Sequence, residues 1–132
     1  MSELEQESIL EAESYLLKLQ TATEKIADLF LANKLSEAQG MMALFTEGLD
    51  WLFNVTSSLN ILQNDGPINE EIQKQLQAIN TILSKMMQEM EEENLSCMAD
   101  HLRYELLPAL EAWGLLLGRL KGKIFKQTPA VN

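Results

Sequence analysis

The sequence predicts an all-α protein, an antiparallel up-down-up-down four-helix bundle whose fourth helix is kinked near Pro108. Two observations support this prediction. Apolar residues recur at alternating spacings of three and four along most of the chain, as in helices that pack along one face. Only three prolines and six glycines interrupt 132 residues, and the turn signals divide the chain into four segments. That pattern suits long helices better than many short strands.

The first helix is predicted over residues 3–32. Its apolar face consists of Ile9, Ala12, Leu16, Leu19, Ile26 and Phe30, with Thr23 filling one further position. Asn33 suits the end of this helix because asparagine tolerates the left-handed backbone conformation. The link that follows is short, so the first two helices are expected to lie antiparallel.

The second helix is predicted over residues 36–63 and opens on a capping-box pattern, with Ser36 as N-cap and Gln39 as its partner. One apolar stripe along it would satisfy a bundle core: Met42, Phe45, Leu49, Leu52 and Leu59. A second stripe lies beside the first: Met41, Leu44, Gly48, Trp51, Val55 and Leu62. The two stripes cover more than the roughly 100° that a surface helix usually buries. The second stripe is therefore either additional core or an interface.

The strongest turn signal, at residues 64–67, reads Asn-Asp-Gly-Pro and ends the second helix. The third helix is expected to use Asn69 as N-cap and to stop around residues 92–94. Its apolar positions again alternate in threes and fours: Ile72, Leu76, Ile79, Leu83, Met86 and Met90.

The fourth helix is predicted to begin near Leu95 or Ser96. Its apolar positions are Leu95, Leu102, Leu106, Ala109, Trp113, Leu116 and Leu120. Pro108 lies inside it and predicts a kink, because proline removes a donor and clashes with the carbonyl of Tyr104. The segment before Pro108 is interpreted as a structural bend, with a recognition role as the alternative. One domain is predicted over residues 1–126, followed by a flexible tail over residues 127–132.

The charge pattern agrees with this order of helices. The start of the first helix is acidic and the end of the fourth is basic, and an up-down-up-down bundle brings these two ends together. The formal net charge of −10 argues against nucleic acid and against anionic membrane surfaces, since both attract clustered Lys and Arg.

The expected location is the cytoplasm. Cys97 is the single cysteine, so no internal disulfide can form and a reducing compartment is the simpler assumption. The N-terminus is acidic where a signal peptide needs positive charge. The most apolar window, residues 106–117, is too short for a membrane span, which needs about twenty residues.

Catalytic chemistry finds little support in the sequence. His101 is the only histidine, and residue 98 is Met, so the Glu-x-x-His pairs of di-iron bundles are missing. The spacing of His101 with Glu105 is interpreted as a surface pair, and Cys97 as a small core residue near a helix start. The sequence therefore predicts no enzyme, no metal and no cofactor.

Methionine placement is the first feature that could carry binding. Six methionines are expected to gather at one end of the bundle: Met41, Met42, Met86, Met87, Met90 and Met98. Flexible, polarizable side chains can re-pack around different ligands, so this end is a candidate groove for an apolar helix. The alternative is that the methionines fill the core.

Glycine placement is the second feature. Gly40 and Gly48 lie two turns apart on the second helix, and Gly114, Gly118 and Gly122 are spaced by four on the fourth. Glycine within a helix costs about 1 kcal/mol relative to alanine, so close approach of another helix is expected at these positions. That helix is either internal or belongs to a partner. Leu115 is expected to lie outside the main apolar seam of the fourth helix.

The sequence thus predicts a non-enzymatic interaction protein, an adaptor or chaperone-like, that forms a homodimer or binds a partner helix. A small acidic helical bundle resembles flagellar and type III export chaperones in shape and charge. The predicted interface uses eleven residues: Met41, Leu44, Gly48, Trp51, Val55, Leu62, Met87, Met90, Gly114, Leu115 and Gly118. The alternatives are a small-ligand binder or enzyme with an apolar pocket near Trp51 or Trp113, and a purely structural domain.

Overall fold

Four helices account for the regular structure. The computed structural model describes residues 2–59 and 66–127, with side chains described over 6–59 and 66–125. The elements are α1 (Ser2–Leu31), α2 (Leu35–Ser57), α3 (Gly66–Glu91) and a fourth helix in three pieces: α4 (Leu95–His101), a π-helical segment (Leu102–Leu106) and α5 (Leu107–Gln127). Every regular element within these ranges is helical. The predicted all-α four-helix fold is confirmed.

Two short links of the same design connect the helices at one end of the bundle. Asn33 and Glu93 both adopt the left-handed conformation, with φ of 60° and 57°. After α1, the amide of Lys34 donates to the carbonyl of Leu29 at 2.9 Å, and after α3 the amide of Asn94 donates to the carbonyl of Glu89 at 3.0 Å. These are Schellman-type ends, which satisfy carbonyls that the helix leaves unpaired. The role predicted for Asn33 is confirmed.

The boundaries of α2 differ from the prediction at both ends. Lys34 occupies the N-cap position without a side-chain capping bond, so the predicted capping box at Ser36 is wrong. The left-handed conformation of Asn33 changes the direction of the chain, and α2 begins shortly after it, at Leu35. At the other end the Ser58 hydroxyl donates to the carbonyl of Val55 at 2.8 Å. Such local side-chain bonds compete with the helix, and α2 ends at Ser57 rather than at residue 63.

The start of α3 also differs. The helix begins at Gly66, so Asn69 lies in its first turn and is not the N-cap. Pro67 explains the earlier start, because its fixed φ suits the first turn and its missing N–H has no helical acceptor there. Residues 60–65, which include the first half of the predicted turn, lie outside the described residues, as does the tail at 128–132. Gln127, assigned to the tail, belongs to α5.

The predicted start of the fourth helix is confirmed at Leu95, where the Asn94 side chain accepts from the amide of Cys97 at 3.4 Å. Where a kink was predicted, the structure has the π-helical segment, in which the amide of Leu107 donates to the carbonyl of Leu102. A π turn lets a helix absorb an irregularity such as the donor missing at Pro108. The bend itself stays a prediction.

One hydrophobic cluster draws on every helix. The predicted apolar face of α1 is buried throughout, including Thr23, whose hydroxyl donates to the carbonyl of Leu19 at 2.7 Å. The fourth helix buries more than its predicted positions. The additional buried residues are Met98, Ala99, Leu110, Leu117 and Ile124. This wide apolar face follows from its place in the bundle, since it packs against both α1 and α3.

Ion pairs join the early part of one helix to the late part of its neighbour. Lys121 lies 2.9 Å from Glu13, and Arg119 lies 2.7 Å from Glu71. These contacts bring the first half of α1 and the second half of α5 together, while the up-down-up-down order stays a prediction. The backbones of α2 and α3 approach each other less closely than do the backbones of α1 and α5, or those of α3 and α5. This wider spacing leaves room for a groove between α2 and α3.

Candidate functional site

A methionine-lined groove lies in the seam between α2 and α3. It has a volume of about 310 Å³. Five of the six internal methionines line it, together with one leucine and three small polar residues: Met42, Met86, Met87, Met90, Met98, Leu83, Thr46, Asn80 and Ser84. The name methionine groove is used below for this set. The sequence placed these methionines at one end of the bundle, and the structure brings five of them around one opening.

The methionines differ in their burial, which gives the groove a floor and a rim. Met98 and Met86 are 0% and 2% exposed and form the floor. Met42 and Met90 are half-buried, and Met87, at 69% exposed, stands on the rim. An unbranched thioether with three rotatable bonds can adjust to an incoming apolar group at small cost. The groove thus combines a fixed floor with an adaptable edge.

The polar residues of the groove do not make it a polar site. The Thr46 hydroxyl donates to the carbonyl of Met42, at 2.9 Å, so its single donor is used within its own helix. The sequence analysis did not name Thr46, and it assigned Leu83 only to the apolar face of the third helix; both line the groove. Their place in the lining follows from the wide α2–α3 separation, which periodicity along one helix does not reveal.

The second apolar stripe of α2 is largely covered from within the chain. Tyr15 of α1 lies over Gly48, and a Cβ built on that glycine would stand 2.7 Å from Cε2 of the tyrosine ring. The same ring meets Trp51 edge-on, with 5.3 Å between ring centroids. Gly48 is buried, Val55 is half-buried and Trp51 keeps 40% of its surface exposed. The close approach expected at Gly48 is thus internal.

The remaining members of that stripe have different surroundings. Leu44 is 68% exposed, whereas Met41 is half-buried against the core. Leu62 lies outside the described residues. The second stripe is therefore part of the core at Gly48 and exposed to solvent at Leu44. Sequence periodicity could not identify Tyr15 as the cover, since its position on α1 is not part of the main apolar seam.

The outer face of α5 carries a second exposed apolar area. Leu115 is 74% exposed and stands between two shallow grooves of about 350 and 360 Å³, one against α1 and one against α3. Leu17 of α1, 63% exposed, lines the first. A Cβ on Gly114 would be 3.5 Å from Leu16, and one on Gly118 would be 3.9 Å from Glu13. These are ordinary contacts, so packing within the chain does not require either glycine.

The only histidine joins two helices through hydrogen bonds. His101 Nε2 lies 2.7 Å from a carboxylate oxygen of Glu89, and its Nδ1 contacts the carboxylate of Glu105. The pair with Glu105 was predicted from spacing, whereas Glu89, twelve residues earlier, was not. Cys97 is a free, half-buried thiol. Among the described residues, no three or more His, Cys, Asp or Glu side chains are arranged to hold a metal ion.

The two tryptophans are packing residues. Trp113 is fully buried and stacks on Phe53, with 5.4 Å between centroids. Among the described residues, its indole N–H has no hydrogen-bond partner, and neither has the hydroxyl of the fully buried Thr56. Tyr104, in the π-helical segment, is 74% exposed. Within the described ranges, no helix is both long and apolar enough to cross a bilayer.

Comparison with known proteins gives one match. No curated protein and no solved structure matches the chain. The profile of one family matches residues 7–115, a span that includes the whole methionine groove as well as Gly114 and Leu115. Since the match covers most of the chain, the protein belongs to the family described as Domain of unknown function (DUF8042).

Proposed function

We propose that the protein is a non-enzymatic interaction protein, an adaptor or chaperone-like, whose methionine groove binds an apolar face of a partner's helix. The observation that supports this proposal is the gathering of five methionines, from three helices, around one opening between α2 and α3. An amphipathic helix binds such grooves by placing side chains at i, i+3 or i+4, and i+7 into the apolar lining. The proposal includes a cytoplasmic location, in keeping with the lone free thiol of Cys97.

The shape of the groove suits anchoring side chains. Its volume of about 310 Å³ is at the low end of the range for ligand sites, so it accepts anchors of a helix that lies across the seam. Dispersion contacts with several thioethers contribute individually little and collectively much. Methionine also makes such surfaces tolerant of different apolar partners.

The test is binding of a neutral amphipathic helical peptide, observed through the methionine methyl groups by NMR. We expect the signals of Met42, Met87 and Met90 to shift on addition of the peptide. The substitution Met87→Gln should weaken binding, because it places an amide on the rim. Leu44→Gln is the matched control, since Leu44 is equally exposed but lies outside the groove. Methionine signals that stay unmoved at millimolar peptide would exclude the proposal.

Self-association is a second candidate, supported by the outer face of α5. Leu115 and Leu17 are exposed there, and Gly114 and Gly118 leave room for a second helix to approach. A homodimer through this face would give these glycines a role that internal packing does not. Light scattering after size exclusion should show a dimer that Leu115→Gln converts to a monomer. A wild-type chain that stays monomeric at high concentration would remove this candidate.

The alternative of a small-ligand site near Trp51 or Trp113 has less support. The Trp113 ring is fully buried against Phe53, and Trp51 is packed against Tyr15. The methionine groove remains the better candidate because it is open, apolar and assembled from three helices.

A further inference from the structure

We propose that the helix bound in the methionine groove is basic: an amphipathic segment of a partner protein with lysines and arginines flanking its apolar face. This inference rests on the proposed function and adds the chemical class of the partner. It is argued from the charges that border the groove and from where the chain places its own cations.

Exposed carboxylates continue both walls of the groove. Asp50 follows Thr46 by four residues on α2, and Glu91 follows Met87 by four on α3, so each lies one turn further along the same side of its helix. Both residues are exposed, and Glu47, beside Thr46, is exposed as well. A helix lying across the apolar lining therefore meets carboxylates on both sides.

The end of α3 adds to this negative potential. Glu91, Glu92 and Glu93 are all exposed directly after the groove residue Met90. They stand at the C-terminus of α3, which is the negative end of the helix dipole. Negative charges at this end of α3 repel one another and do not stabilise the helix. A cationic partner would relieve their repulsion, whereas an acidic one would increase it.

Three of the chain's cations lie away from the groove. Lys85 lies roughly 160° around α3 from Met87 at 100° per residue, and so points away from the groove. Arg119 and Lys121 pair with Glu71 and Glu13 at the opposite end of the bundle. With a net charge of −10 over the chain, the long-range field also attracts a basic segment and speeds its encounter.

Three synthetic peptides test the inference. All share one leucine-rich helical face, and their polar faces carry lysine, glutamine or glutamate. Binding to the 132-residue chain is measured by fluorescence anisotropy at low and at physiological salt. We expect the lysine peptide to bind at least tenfold more tightly than the glutamate peptide, with a difference that shrinks as salt rises. We also expect it to shift the methyl signals of Met87 and Met90.

Variants that neutralise one carboxylate at a time identify the residues that cause the preference for the lysine peptide. Asp50→Asn and Glu91→Gln should each weaken the lysine peptide about two- to fivefold, the range expected for exposed ion pairs, and leave the glutamine peptide unchanged. The matched control is Glu111→Gln, an equally exposed carboxylate on α5 that lines a different groove. It should change neither affinity.

The outcomes separate the two proposals. If the glutamate or glutamine peptide binds as tightly as the lysine peptide, helix binding stands and the basic class is wrong. If no peptide moves the methionine signals, both proposals fail. If the chain alone forms a dimer that Met87→Gln disrupts, the groove is a self-association site and the inference of a basic partner is overturned.

Discussion

The sharpest stability prediction compares two glycines of the same helix, Gly40 and Gly48. Both lie within α2, where replacing glycine by alanine gains about 1 kcal/mol of helix stability when nothing else changes. At Gly40 the new Cβ would have nothing within 4 Å. At Gly48 it would stand 2.7 Å from Cε2 and 2.9 Å from Cζ of Tyr15. No real Cβ tolerates such distances, so the tyrosine ring must move.

The change in the free energy of unfolding expected for Gly48→Ala depends on the contacts that the Tyr15 ring loses. Overpacking costs about 1–3 kcal/mol, and a displaced Tyr15 also loses its edge-on contact with Trp51, which contributes about 0.5–1.5 kcal/mol. After the gain of about 1 kcal/mol in helix stability is subtracted, the net effect is a destabilisation of about 0.5–3.5 kcal/mol. Gly40→Ala should instead stabilise by about 1 kcal/mol. For a chain of this length each kcal/mol corresponds to a Tm change of about 3–5 °C.

Thermal and urea unfolding monitored by circular dichroism measure both variants. A double-mutant cycle with Tyr15→Ala isolates the contact: with the ring removed, Gly48→Ala should become as favourable as Gly40→Ala. Equal stabilisation by Gly40→Ala and Gly48→Ala in the wild-type background would refute the reasoning. It would mean that Tyr15 does not cover Gly48 and that the second stripe of α2 is open to a partner.

Three further predictions concern single side chains. Thr56→Val should stabilise by about 1 kcal/mol, because the buried Thr56 hydroxyl has no partner among the residues that the structure describes. Thr23→Val removes a hydrogen bond at equal burial and should destabilise the protein. The midpoints of urea unfolding compare the two variants. Glu93→Gly should raise Tm by relieving the left-handed conformation of Glu93, a gain of about 1 kcal/mol; an unchanged Tm would contradict it. His101→Ala should cost about 1 kcal/mol by leaving the Glu89 carboxylate without its donor, and adding Glu89→Gln should recover part of that loss in chemical denaturation.

The methionine groove shows how far sequence reasoning extends to the site. Spacing on α2, α3 and the fourth helix was enough to place Met42, Met90 and Met98 at one end of an antiparallel bundle. Spacing did not show that α2 and α3 stand apart there, nor that Thr46 and Leu83 complete the lining. Those facts depend on how closely two helices pack, and that distance is set by all the side chains between them.

Two element ends show the same limit at shorter range. The position of Asn33 at the end of α1 was predictable because asparagine is one of few residues that accept a positive φ. The capping box at Ser36 was a sound pattern that the protein does not use, because the preceding turn directs the chain straight into α2 at Leu35. A local signal fixes an outcome only where no neighbouring turn already determines the path of the chain.

The sequence by itself determined the helical class, the number of helices, the buried face of α1 and the acidic character of the surface. These properties depend on periodicity and composition, which act within one helix or on the chain as a whole. Only the tertiary structure decided that Tyr15 covers Gly48, that Glu89 bonds His101 and that the seam between α2 and α3 is open. Each of these joins residues from different helices, and the free energy of such a contact depends on distances that no single helix defines.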